Sequence, residues 1–229
     1  MTLLEAIPLR HSVRRYKDTP IPEEIIVKLE SKIAELNKKG SMHMQLVINE
    51  PKAFTGPLSY GSFSGVKNYI VVVAEKEGDY KERAGFFGEE LVLYAQTLGL
   101  NTCWVGLSYR KINDTYVLGD GEKILCYIAI GYGETQGVSH KTKSAEDLSN
   151  ISSDTPAWFA KGVEAARLAP TAVNQQKFYF RYVAPKSAGE KATVVAERKF
   201  SMIGYTHIDL GIACCNFQLA AGTENFVWG

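Results

Sequence analysis

Gly88-Glu89-Glu90-Leu91-Val92-Leu93-Tyr94-Ala95-Gln96-Thr97-Leu98-Gly99, running on to Val105-Gly106, lies without a gap on Gly211-Ile212-Ala213-Cys214-Cys215-Asn216-Phe217-Gln218-Leu219-Ala220-Ala221-Gly222, running on to Trp228-Gly229. Gly88, Gly99 and Gly106 fall on Gly211, Gly222 and Gly229, with mostly apolar positions matched between them. Each stretch reads as glycine, helix, glycine, strand, glycine, the signature of one unit used twice. A chain with 20 glycines can produce such a match by chance, so its weight depends on what surrounds it. Taken as a repeat, it makes residues 154–229 a shortened copy of residues 1–153.

The flanking sequence supplies the remaining elements. Glu23 to Leu36 places Ile25, Ile26, Leu29, Ile33 and Leu36 near one helical stripe, entered through Pro22. Asn68 to Ala74 is β-branched and apolar with little alternation, which predicts a strand buried on both faces. Gly88 to Leu98 has helical spacing and stops at Gly99, and Asn101 to Gly106 and Lys123 to Gly131 read as short apolar strands. Thr135 to Asp154 is polar with little that could pack, and is the best candidate for a boundary between the halves. Helical signals resume at Pro156, and Lys177 to Ala184 alternates like a strand.

Composition excludes several classes. The chain has 229 residues, 45% hydrophobic and 22% charged, with net charge +1. That is globular composition without a global field for nucleic acid or anionic membrane. Met1 to Ile7 lacks the basic start and apolar run of a signal peptide, and the run Ile70 to Ala74 is too short to span a bilayer. A cytoplasmic location is expected. Cys103, Cys126, Cys214 and Cys215 form no CxxC or Cys/His spacing and read as buried reduced thiols. His43, His140 and His207 are scattered singly, so no metal site is expected. No GxGxxG opens a helix after a strand, so a dinucleotide-binding Rossmann unit is not indicated.

Three clusters carry chemistry. Arg10-His11-Ser12-Val13-Arg14 gathers two guanidiniums, an imidazole and a hydroxyl, a donor set that suits phosphate oxygens or serves as a solvated basic turn. Lys141 and Lys143 sit on alternate positions and could meet one dianion, or simply face water. Pro170-Thr171-Ala172-Val173-Asn174-Gln175-Gln176 follows an alanine-rich helix with a hydroxyl and three carboxamides, suited to the edge of a heterocycle or to capping.

Together these segments resemble the FMN-dependent nitroreductase family. Arg10 to Arg14 resembles its R-x-S-x-R opening, Pro170 to Gln176 its P-S-S-x-N-x-Q-P loop, and Leu98 to Gly106 its L-G-L-x-x-x-W-x-G segment. Ile128 to Gly133 and Lys141 to Asp147 look like its last strand and basic tail. The order differs from ordinary members, where the P-S-S-x-N loop follows the first motif closely. Here that place, Asn37 to Gln45, is degraded, and the good copy stands in the second half. Since two chains share each site in the family dimer, the pattern resembles the double-length subgroup whose single chain imitates that dimer.

The resemblance implies an α+β fold, a mixed sheet wrapped by helices with two interlocked halves, and one FMN per monomeric chain. It places Arg10, His11, Ser12, Lys141 and Lys143 at the FMN phosphate and ribityl end, and Arg14 at the pyrimidine edge. Val105 and Gly106 fall beside N5, and Pro170, Thr171, Ala172 and Asn174 reach across from the second half. It implies NAD(P)H-dependent, ping-pong reduction of nitroaromatics, quinones or similar small acceptors, with no catalytic residue beyond the flavin. The alternative is an FMN carrier or redox sensor without fast turnover. Tyr60, Phe63 and Trp104 are candidates for shaping the pocket, or core residues.

Overall fold

The computed structural model describes residues 1–56, 62–187 and 189–229. Tyr60 lies outside the described residues. In chain order the elements are α1 (Leu3–Ala6), α2 (Glu23–Gly40), β1 (Gln45–Val47), β2 (Tyr69–Glu75), α3 (Tyr80–Thr97), β3 (Asn101–Val105), β4 (Glu122–Gly131), α4 (Ala145–Leu148), α5 (Ala157–Arg167), β5 (Phe178–Val183), β6 (Ala192–Arg198), α6 (Thr206–Ala221) and β7 (Phe226–Trp228). The expected α+β class is what the structure has.

The first sheet is antiparallel throughout, in the order β1-β2-β4-β3. Its central strand β2 is buried on both faces, as its unbroken apolar run predicts. Ile70, Val72 and Ala74 enter the main core with the helices, while Tyr69, Val71 and Val73 enter a second cluster on the opposite face. The second sheet runs β5-β6-β7, with β5 antiparallel and β7 parallel to β6. In the first sheet β2 and β3 are likewise co-directional, but β4 stands between them; in the second, β6 pairs with β7 directly.

α6 ties the halves together. It is buried along nearly its whole length, including Ile208, Ile212, Ala213 and Phe217, so it behaves as an internal helix that must be covered all round. Its two largest partners are α3 and α5. At the α3–α6 crossing, glycine is required on both sides. A Cβ on Gly85 would lie 2.1 Å from the Ile208 carbonyl oxygen, and one on Gly211 would lie 2.0 Å from that of Glu82. Glu82, Gly85 and Phe86 thus face Ile208, Gly211 and Ile212 reciprocally. This corrects the gapless comparison: the glycine that answers Gly211 is Gly85, whereas Gly88 lies under the Trp104 ring. Gly99 and Gly222 do share a role, each following its helix at φ near 80° (80° and 77°).

Two further readings are corrected. α3 begins at Tyr80, about two turns before Gly88 where its helical spacing becomes visible, because Ala84 and Gly85 serve close packing and give no apolar stripe. The polar stretch 135–154 is also more than a linker. It contains α4, buries Leu148 and Ser149, and bridges Ser149 to Phe180 in β5. The polar sequence hid this because the packing falls on a single leucine.

Candidate functional site

The first motif is laid beside β3. Val13 N–H donates to the Thr102 carbonyl (3.0 Å), Tyr16 N–H to Ser64 (3.0 Å) and Lys17 N–H to Tyr132 (2.8 Å). Val13 is buried, and alternation along the extended segment turns its neighbours Ser12 and Arg14 to the other side. There they meet the end of β3. Ser12, Arg14, Trp104, Val105 and Gly106 line one wall of a cavity of about 260 Å³, and Pro170, Thr171, Ala172, Tyr205 and Asp209 line the other. Its two walls therefore come from the two halves of the chain.

The loop after α5 is strained. Val173, Asn174 and Gln176 have φ of 46°, 57° and 46°, in the left-handed region that costs a β-branched valine most. Asp209 holds this loop against α6. Its Oδ1 accepts from Ala172 N–H (2.9 Å), and its Oδ2 accepts from Gln175 Nε2 (2.6 Å). Burial pushes the Asp209 carboxyl up to about 6, and these two donors oppose the rise. Lys141 O accepts from Asn174 Nδ2 (2.8 Å) and Gln176 Nε2 (3.0 Å), and Lys143 N–H donates to Gln176 Oε1 (2.8 Å). Lys143 Nζ donates to the carbonyls of Gln175 and Gln176. The carboxamides thus fasten the tail of the first half to the loop of the second.

Of the residues singled out in the sequence, Ser12, Arg14, Val105, Gly106, Pro170, Thr171 and Ala172 meet at the cavity. Arg10, His11, Lys141, Lys143 and Asn174 do not line it. Arg10 is turned inward, 3% exposed, with Nε 3.7 Å from the buried Glu89 Oε1 and Nη2 donating to the Leu168 carbonyl (3.4 Å). A buried guanidinium needs such compensation. Burial pushes Glu89 up to about 7 even beside Arg10 and the Trp104 indole, which donates to Glu89 Oε2 (2.9 Å). Lys141 is exposed and makes no ion pair among the described residues. The close approach expected at Gly106 is made, in this structure, by Tyr205: a Cβ there would lie 2.6 Å from Tyr205 Cζ.

Trp104 lines the cavity, whereas Phe63 packs edge-on against Phe54. His43 contacts Glu122 (2.9 Å), His140 the Arg167 carbonyl (3.1 Å), and His207 Glu82. All four cysteines are free. Among the described residues no His, Cys, Asp or Glu cluster could hold a metal, and no helix is long and apolar enough to cross a membrane. Sequence reasoning missed Tyr205 and Asp209. Asp209 had a signal, as the lone acid in the run Ile208 to Cys215. Tyr205 had none, because its role rests on a backbone conformation.

Fold and site define an α+β protein whose ring-sized cavity is shared between two halves. The family described as "Putative TM nitroreductase" matches residues 2–221, and the chain belongs to this nitroreductase family. Among solved structures, a putative nitroreductase from Thermotoga maritima is 27% identical, with 96% of this chain and 83% of that chain covered and a TM-score of 0.63. A putative NADH oxidase from Clostridium acetobutylicum is 20% identical over 66% of this chain and 99% of its own, with a TM-score of 0.50. A putative nitroreductase in complex with FMN from Desulfovibrio desulfuricans is 21% identical over 68% and 99%, with a TM-score of 0.49. No curated protein matches the chain in sequence.

Proposed function

We propose that this chain is an FMN-dependent oxidoreductase that uses NAD(P)H to reduce nitroaromatic, quinone or similar small acceptors by ping-pong turnover. The carrying observation is the cavity itself, where the R-x-S-x-R and P-S-S-x-N-like segments converge with Val105 and Gly106. Arg14 supplies an exposed cation that makes no ion pair among the described residues, so it is available to an anionic ligand. FMN, when bound, supplies the hydride chemistry.

The chain's own residues fit that group. Arg14 would sit at the pyrimidine edge, where reduced flavin carries negative charge, and would favour the reduced form. Ser12 and Thr171 offer hydroxyls from opposite walls. Lys141 would meet the phosphate, with Arg10, His11 and Lys143 behind it, and Asn174 would shape the loop through Lys141 O. The halves, 1–153 and 154–229, would be two copies of one unit fused into a monomer that imitates the family dimer.

The visible spectrum of the purified protein, before and after anaerobic NADH or NADPH, tests this. Flavin bands that bleach at about one FMN per chain support the reading, and bands that persist with either nicotinamide favour the carrier or sensor. A colourless protein that cannot be loaded overturns it. Parallel lines in initial-rate plots check the ping-pong order, and a light-scattering mass of one chain checks the monomer. Arg14→Ala should lower the flavin potential; an unchanged potential removes Arg14 from the pyrimidine edge.

A further inference from the structure

Tyr205 is held in a conformation that its residue type resists. It caps the N-terminus of α6 at φ 59°, ψ 0°, the left-handed region where glycine or asparagine costs least. Gly204 before it is also left-handed, at φ 80°. The backbone would accommodate a glycine more cheaply, so the strain is tolerated for the side chain. That side chain reaches from the second half to the first. Its hydroxyl donates to the Gly106 carbonyl at 2.7 Å, and its ring occupies the space beside Gly106 that a Cβ would need. Ile203, Ile208 and Leu107 line the same cavity.

We propose that Tyr205 determines which acceptors the cavity admits: clasped to the Gly106 carbonyl, its phenol closes the cavity from the second half and caps the width of the ring that can enter. The proposal rests on the flavin-oxidoreductase reading above. The clasp makes the phenol a fixed wall, since moving it breaks a hydrogen bond between the halves and releases the ring from its seat at Gly106. Loss of this side chain widens the cavity beside Gly106. The selectivity encoded is steric, and a difference of a single methylene against such a wall is worth roughly 10- to 200-fold.

The test uses the FMN-loaded chain and compares kcat/KM for a two-ring naphthoquinone with that for benzoquinone, in the parent, Tyr205→Phe and Tyr205→Ala. The naphthoquinone preference is expected to rise on the order of tenfold in Tyr205→Ala. In Tyr205→Phe, which keeps the ring but not the clasp, it should rise less. Emission of the bound flavin should brighten in Tyr205→Ala, since a nearby phenol quenches it. Tyr205→Gly, which suits the same backbone, replaces Tyr205→Ala if the latter does not fold. A preference unchanged in a flavin-loaded Tyr205→Ala or Tyr205→Gly overturns the proposal and leaves the flavin reading intact. Loss of FMN from both variants also overturns it, because Tyr205 would then be part of the cofactor's cradle. A parent chain that binds no FMN instead defeats the underlying reading.

Discussion

The first turns of α3 and α6 face each other's helices across one glycine crossing, yet they border different surfaces. At the start of α6 stand Tyr205 and Asp209, which close a cavity of about 260 Å³ and hold the 170–176 loop. The corresponding places at the start of α3 are Asp79 and Arg83, joined by an exposed ion pair (2.9 Å). They border a groove of about 840 Å³ that also includes Glu82, Glu90, Trp228 and Gly229. The contrast shows what separates a site from its geometric twin. The cavity leaves Arg14 without an ion-pair partner among the described residues. In the groove the charges are matched locally: Arg83 is paired with Asp79, Lys39 with Glu35 and Glu90 with Lys32, and Glu82 contacts His207.

The crossing common to both is where substitution has the largest effect. Gly85→Leu or Gly211→Leu drives side-chain atoms into a backbone carbonyl and should cost about 3 kcal/mol or more, read by urea unfolding. A change under 1 kcal/mol would mean the helices can separate freely, and would undo the comparison. The next effect lies on the cavity side alone. Asp209→Ala strips the acceptors from Ala172 N–H and Gln175 Nε2 and should cost about 1–3 kcal/mol, with weakened FMN retention. Retention equal to the parent's would show that the loop needs no latch.

The same carboxyl gives the cavity side a pH dependence. Burial holds Asp209 near 6, above the ordinary range of about 4, so the folded chain favours its protonated form. Its contribution to stability is complete below about pH 4 and is lost as pH rises through about 6. Melting temperature should therefore fall between about pH 4 and about pH 7, and Asp209→Asn should flatten that part of the slope. An identical slope would place its source elsewhere, with the buried Glu89 the first alternative. The smallest effect belongs to the groove. Removing the Asp79–Arg83 pair by Asp79→Ala should cost about 0.3–0.5 kcal/mol, as for exposed pairs one helical turn apart, and leave flavin content unchanged.

Much of the cavity is legible in the sequence. Ser12, Arg14, Val105, Gly106 and the Pro170 to Ala172 run were marked by local spacing, and the structure brings them together. The phosphate-end residues were harder to place. Arg10 reads as a ligand donor in one dimension, but Glu89, 79 positions away in sequence, draws it inward, and no local pattern predicts that pairing. Likewise Asn174, Gln175 and Gln176 advertised hydrogen-bonding capacity, but only folding decides which partners use it.

Sequence by itself determined the element types, because apolar runs, helical stripes, prolines and glycines act over a few residues. It also determined the motif order that assigns opposite walls of the site to opposite halves. Tertiary structure alone decided that Gly85, three residues from the glycine marked by self-comparison, answers Gly211. It alone put Tyr205 in a left-handed turn against Gly106, and made Asp209 the anchor of the loop. Those facts depend on how two helices approach to within backbone contact. That approach is fixed by the summed packing of α3, α5 and α6, and no single segment encodes it.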